Sequence, residues 1–323
     1  MQELEKLMIK RAKELLNDGS VNRVLGWKKG EFCHDISPAV FYNEEQLKDF
    51  TYNCFCGANL SKYLISESKL EGKVLVFLKP CDTYSFNQLV KEHRIKKENV
   101  YAIGVECQGK VDFEKCQQKG FDFLDSAIET IDKVTLSNGD KTQTFDKNEL
   151  KLSKCQVCNK ELVAGDEKIV LHEKVKATDD RFDDVKKLEA MTSEERFAFW
   201  KEQLSKCIRC NACRNVCPAC SCTKCVFDND ESTISSKANS DSFEEKLFHI
   251  IRSFHVAGRC TDCGECSRVC PQNIPLHLLN RKYIMDIDRL YGEYQAGADD
   301  CSKGPLTSYD KEDLDPNDAG GKK

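Results

Sequence analysis

The chain has 323 residues, 40% of them apolar and 32% charged, with a formal net charge of −5. That length allows two domains with cores of their own, and the negative balance offers no electrostatic case for nucleic acid. The longest apolar run, near Val74–Leu78, is far too short to span a bilayer, and Met1–Lys6 has no apolar core of the signal-peptide kind, so a cytoplasmic location is expected.

Taken in chain order, Leu4, Leu7, Met8, Ala12, Leu15 and Leu16 fall on one helical stripe, with Gly19 as its stop. A strand is expected over Val21–Trp27. Asn43 and Gln46 read as a cap and its reciprocal partner opening a short helix, and Asn59–Ile65 also reads as helical. Lys73–Leu78 is a strand, Asp82 caps a helix running to about His93, and Asn99–Val105 is a second strand. This spacing predicts a parallel pair joined by a crossover. Lys133–Leu136 and Lys141–Phe145 flank Asn138-Gly139, the signature of a β-hairpin.

Glu173–Leu188 is heavily charged and reads as a link, partly helical. Thr192 with Glu195, and Ser242 with Glu245, form capping boxes. The first opens a helix that runs into Cys207. The second opens a helix through Leu247, Ile250, Ile251 and Phe254 to Gly258, and a third spans Pro275 to about Leu290. Asp228–Asp241 is a polar loop, and the acidic tail after Asp299 reads as disordered. The expected organisation is an α/β domain with parallel strands over 1–172, a charged linker over 173–192, an all-helical dicluster ferredoxin-like domain over 193–298 and a flexible tail over 299–323.

Twenty cysteines in a chain of this size, without an export signal, point to metal ligands in a reducing, oxygen-poor cytoplasm. Cys207, Cys210, Cys213 and Cys217-Pro218 have the C-x2-C-x2-C-x3-C-P spacing, and Cys260, Cys263, Cys266 and Cys270-Pro271 repeat it. A tight coil of three cysteines places three thiolates on three irons of one cube, while the fourth points to the neighbouring cube. The pattern therefore predicts two 4Fe–4S clusters. Cys207, Cys210, Cys213 and Cys270 hold one, and Cys260, Cys263, Cys266 and Cys217 hold the other. Structural zinc favours separated pairs closed by four ligands and fits this doubled run poorly.

Three more thiols follow at once, Cys220, Cys222 and Cys225, and suggest a further centre whose remaining ligand comes from elsewhere. In the first half, Cys81 and Cys107 each follow an expected strand, and Cys155 and Cys158 have metal-ligand spacing. Strand ends at one edge of a parallel sheet converge, so these four could close on a cluster. With Cys56 or a neighbour completing the Cys220–Cys225 set, one or two further 4Fe–4S clusters are conceivable. Buried structural cysteine is the plainer alternative for each. Gly104–Lys110 matches a phosphate-loop pattern but lacks the following Ser or Thr, and reads as a turn presenting Cys107. His249 and His255 lie on the Ser242–Gly258 helix, where they could tune nearby clusters.

Several segments carry a family resemblance. They are Cys56-Gly-Ala-Asn59-Leu60-Ser-Lys-Tyr63-Leu64, Val76-Phe-Leu-Lys79-Pro80-Cys81-Asp82, Val100-Tyr-Ala-Ile-Gly104-Val-Glu-Cys107, Cys155-Gln-Val-Cys158, the Cys207–Cys225 run and Phe254-His-Val-Ala-Gly-Arg-Cys260. The chain resembles the beta subunits of deazaflavin-coenzyme-reducing hydrogenases and formate dehydrogenases, in a branch with the ferredoxin module at the C-terminal end. The resemblance implies an α/β domain holding one 4Fe–4S cluster through Cys81, Cys107, Cys155 and Cys158, often beside FAD, within a hydrogenase, formate dehydrogenase or heterodisulfide-reductase-type complex. Flavin-binding members carry a Gly-rich segment where this chain has Lys13–Gly30 without paired glycines. The expectation is a subunit relaying single electrons between a redox partner, a flavoprotein or ferredoxin among the candidates, and another carrier. The competing expectations are a flavin-dependent oxidoreductase reducing a soluble hydride acceptor, and a docking subunit.

Overall fold

The computed structural model describes residues 2–139, 141–177, 179–228 and 242–307, the side chains of 242–246 excepted. The loop expected over Asp228–Asp241, the Ser242–Glu245 capping box and the last part of the tail lie outside the described residues, apart from Asp228 itself.

Helix α1 (Gln2–Asn17) buries Leu4, Met8, Ala12 and Leu15 and ends at Gly19, whose φ of +75° suits a residue without Cβ. Leu7, expected on the same stripe, is 36% exposed at its margin. Strand β1 (Arg23–Lys29) pairs antiparallel with β2 (Ile36–Phe41) and parallel with β3 (Val74–Leu78), which in turn runs parallel to β4 (Val100–Val105). The sheet is thus mixed, where parallel strands were expected. Strand β2 carries Pro38, which lacks an N–H to donate, and it accordingly lies at an edge.

Helix α2 (Pro80–Lys91) follows β3 directly. Its cap is Lys79 and not Asp82. Pro80 takes the first helical position, where no N–H is needed. Asp82, two positions further on, reaches back to the Lys79 Nζ at 2.8 Å, and both side chains are buried.

A second sheet is built from β5 (Ser126–Glu129), β6 (Lys133–Asn138) and β7 (Lys141–Asp146), all antiparallel, with Gly139 at φ +51° in the expected Asn-Gly turn. It packs Val134, Leu136 and Phe145 with Cys54 and Cys116 into its own core. The chain then returns to the first sheet, adding β8 (Glu167–Ile169) parallel to β4.

From Asp183 onward every regular element among the described residues is helical. Helix α3 (Asp183–Glu189), within the expected linker, buries Val185 and Leu188 against Leu278. Helix α4 (Ser193–Ser205) begins at the expected capping box. Thr192 Oγ accepts from the Glu195 N–H at 3.2 Å, and the Glu195 carboxylate accepts from the Thr192 N–H at 2.9 Å. Helices α5 (Ser242–Val256) and α6 (Leu276–Tyr291) frame the cysteine-rich segments.

The end of the expected helical domain packs on α2, and the first residues of the expected flexible tail pair with side chains on and beside it. Gly297 lies so close that a Cβ would stand 1.9 Å from the Tyr84 carbonyl oxygen. Beyond it, Lys91 pairs with Asp299 at 3.7 Å and Lys97 with Asp300 at 2.5 Å. Among the described residues no helix is long and apolar enough to cross a membrane.

Candidate iron–sulfur centres

The two ferredoxin-pattern loops have the same backbone. Arg209 and Asp262 occupy the left-handed region at φ +52° and +55°, and Asn211 and Gly264 do so at +60° and +66°. The three non-glycine residues among them cost about 1–3 kcal/mol each in that region and persist where surrounding structure demands them, whereas Gly264 adopts it freely. Here they coil each loop tightly before the short helices Ala212–Asn215 and Glu265–Arg268, which carry Cys213 and Cys266.

The last cysteine of each loop packs among thiols of both loops. Cys217 packs beside Cys260, and Cys270 shares an apolar cluster with Cys207 and Cys213, to which Cys266 and Cys225 also belong. Burial raises the pKa of Cys260, Cys263 and Cys266, that of Cys263 to about 12, and the nearby Cys217 raises each further. Cluster ligands must be deprotonated, so metal binding at these thiols would release protons. Among the described residues no group of three or more His, Cys, Asp or Glu gathers closely enough to hold a single metal ion.

His249 reaches one of these sulfurs. It is 1% exposed, and its Nε2 stands 3.2 Å from the Cys207 sulfur. With a ligating thiolate at Cys207, the imidazole would be the donor through a protonated Nε2.

In the first half, Cys81, Cys107, Cys155 and Cys158 line one cavity of about 360 Å³. Cys81 sits in the first turn of α2, where the helix dipole favours negative charge. Cys107 follows β4, and Cys155 lies on the short helix Ser153–Gln156. Burial holds the Cys155 thiol up at about 11, against the opposing charge of Lys154. Lys79, Lys110, Lys151, Lys154, Lys174 and Lys176 surround the cavity. Lys174 donates to the Cys158 sulfur at 3.3 Å. The phosphate-loop-like run does not act as one: Lys110 donates to the Asn53 carbonyl at 2.8 Å and lies over the Tyr52 ring.

A second cavity, of about 380 Å³, is lined by Cys220, Cys222 and Cys225. Cys56 is not part of its lining. It is fully buried in the core of the first sheet, where its sulfur accepts from the Asn53 N–H at 3.2 Å. Apolar neighbours on the sheet pull it there, which its position beside Gly57 does not reveal.

The two halves meet around Glu265, which is 1% exposed. Its carboxylate pairs with Lys154 and with Arg268, and accepts from the Asn59 N–H at 3.2 Å. Burial works against its charge, but the two cations hold its pKa well below the usual range. Beside it Ser85 and Thr261 share a hydrogen bond at 3.0 Å. Sequence reasoning missed Lys154 and Glu265. Each adjoins or nearly adjoins a cysteine of its motif, but nothing in sequence pairs residues 111 positions apart.

The segment expected to reveal a flavin site gives its glycines other work. A Cβ on Gly26 would meet the Phe50 ring at 2.4 Å, and one on Gly30 the Asp35 carboxylate at 2.0 Å. Neither leaves bare backbone open to a pyrophosphate, and Gly19, the other glycine of the segment, ends α1.

Residues 203–274 match the family described as 4Fe-4S dicluster domain. Along most of its length the chain is similar to two curated proteins. It is 26% identical over a 359-residue alignment, 93% of each chain, to the F420-dependent formate dehydrogenase subunit beta of Methanocaldococcus jannaschii. It is 27% identical over 350 residues, 89% of each chain, to the F420-dependent formate dehydrogenase 1 subunit beta of Methanococcus maripaludis. A chain of the F420-reducing NiFe hydrogenase complex from Methanosarcina barkeri overlaps 49% of this chain and 62% of its own, with a TM-score of 0.39 at 14% identity.

Proposed function

We infer that this chain, a relative of the F420-dependent formate dehydrogenase beta subunits that carries a 4Fe–4S dicluster domain, is an iron–sulfur electron-transfer subunit relaying single electrons between a redox partner and another carrier. The partner belongs to a formate dehydrogenase, hydrogenase or heterodisulfide-reductase-type assembly, and the setting is the cytoplasm. One observation carries the reading: the four-thiol cavity of the first half and the Cys260 loop lie on either side of the buried Lys154–Glu265 pair.

When bound, 4Fe–4S clusters exchange one electron at a time, at potentials set by charge, hydrogen bonds to sulfur and burial. Cys207, Cys210, Cys213 and Cys270 are assigned to one centre, Cys260, Cys263, Cys266 and Cys217 to a second, and Cys81, Cys107, Cys155 and Cys158 to a third. The packing supports this order along the molecule, with the Cys260 group in the middle. The all-helical character of the C-terminal half suits a module fixed inside a larger assembly.

His249 stabilises negative charge on Cys207, and with it the reduced state of the outer centre. His249→Phe is therefore expected to move the midpoint potential of that centre to more negative values in an EPR-monitored titration, with the other centres unmoved. An unchanged potential would show that the imidazole does not bond the ligated sulfur.

Anaerobically purified protein tests the function itself. Iron and sulfide for at least three centres, without stoichiometric flavin, support the relay, and Cys107→Ser should remove one centre while sparing the dicluster signals. Stoichiometric flavin, with reduction of a soluble hydride acceptor by the isolated chain, would replace the relay by a flavin-dependent oxidoreductase.

A further inference from the structure

We propose that Cys220, Cys222, Cys225 and His255 form a fourth metal site, which takes a 4Fe–4S cluster through three thiolates and one imidazole. The proposal rests on the iron–sulfur reading and extends it to a ligand of a different chemical kind. Three cysteines within six residues need one more donor to complete a cube. All three line the 380 Å³ cavity, and His255, in the last turn of α5, lines it with them.

The other donors nearby are otherwise engaged. Cys56 is held in the core of the first sheet. Cys217 packs with both Cys260 and Cys220, but does not itself line the cavity. Asp228 does line it, but its carboxylate accepts from Arg214 at 2.7 Å. His255 is the remaining ligand-type side chain on that wall among the described residues.

An independent observation points to an anionic occupant. Arg252 lines the same cavity and is 3% exposed; its guanidinium donates to the Cys213 carbonyl at 3.3 Å, and its Nε alone finds no hydrogen-bond partner among the described residues. A buried guanidinium donor left unpaired is costly. Lys62 and Arg259 add positive charge on the same walls. A cube bound by three thiolates and a neutral imidazole is a net anion in both its common oxidation states, and its sulfurs accept hydrogen bonds. A single zinc ion fits less well, because these donors ring a cavity and do not converge on a point. Imidazole replacing thiolate is sound iron–sulfur chemistry and raises the potential.

The loop is also set in place from outside. Lys62 donates to the Cys220 carbonyl and Arg94 to the Ser221 carbonyl, while Arg259 pairs with Glu92 of the first half. The thiols are therefore positioned by the first half of the chain.

The test uses the full chain purified without oxygen. Cys222→Ser is expected to lower iron and sulfide by about a quarter, the content of one centre in four, and to leave the remaining EPR signals in place. Pulsed EPR of the reduced wild-type protein should detect a directly bound ¹⁴N nucleus. His255→Cys should abolish that coupling, retain the iron, and shift one centre to a lower potential. Iron unchanged in Cys222→Ser, zinc in place of the lost iron, or a nitrogen coupling that survives His255→Cys would each overturn the proposal. Wild-type protein without iron or sulfide would instead overturn the underlying iron–sulfur reading.

Discussion

Cys217→Ala is expected to strip the centre held by Cys260, Cys263 and Cys266 and to leave that of Cys207, Cys210 and Cys213 in place. The substituted residue belongs, by sequence, to the loop that survives. It packs with Cys260 as well as with Cys220, close enough to raise the pKa of all three thiols of the opposite loop. The reciprocal change, Cys270→Ala, should empty the Cys207 centre, because Cys270 shares its apolar cluster with Cys207 and Cys213. Iron content and cluster-resolved EPR of the two variants decide the matter. If each variant lost the centre of its own loop, the exchange of ligands would be wrong, and with it the assignment of eight cysteines. Alanine is small enough for the buried position, so the loss should be local, and the surviving EPR signal reports that the fold is intact.

Glu265→Leu should be the most destabilising single change at the junction of the two halves, at about 3–5 kcal/mol, the usual cost of leaving a buried charge without its partner. The Lys154 side chain is 8% exposed and that of Arg268 26%, so loss of the carboxylate leaves one cation buried and another half-buried. Removing the cation together with the carboxylate, in Lys154→Met with Glu265→Leu, should restore much of the stability, since apolar side chains of similar length replace a buried ion pair at little net cost. Thermal unfolding of the two single variants and the double variant under anaerobic conditions gives the coupling energy. A cost near that of an exposed ion pair, about 1 kcal/mol or less, would mean that water reaches the pair and that the halves are not sealed together there.

The legible parts of the molecule were local ones. Helix α1 was readable from Leu4, Met8, Ala12 and Leu15, the hairpin from Asn138-Gly139, and α4 from the Thr192–Glu195 box, each within a stretch too short for distant packing to overrule. Strand β2 was missed because Pro38 breaks its pattern, and β8 because three residues carry no periodicity. The cap of α2 was misplaced by a reading that favoured an acidic side chain over the Pro80 that sets the first turn. The beginning of the tail looked disordered by composition, yet Asp299 and Asp300 find Lys91 and Lys97 on and beside α2.

For the centres themselves, the two ferredoxin loops followed from spacing, because ligands two and three residues apart are confined by the covalent chain to one side of a coil. The gathering of Cys81, Cys107, Cys155 and Cys158 around one cavity was foreshadowed by strand ends and resemblance, but their common wall is made by the sheet. The sequence alone determined which thiols travel together, since bond lengths and backbone dihedrals suffice for neighbours. Only the tertiary structure decided that Cys56 lies in a core, that His255 borders the same cavity as Cys220, Cys222 and Cys225, and that Lys154 meets Glu265. Such encounters depend on how whole elements pack, and packing is a property of surfaces assembled from residues far apart in the chain.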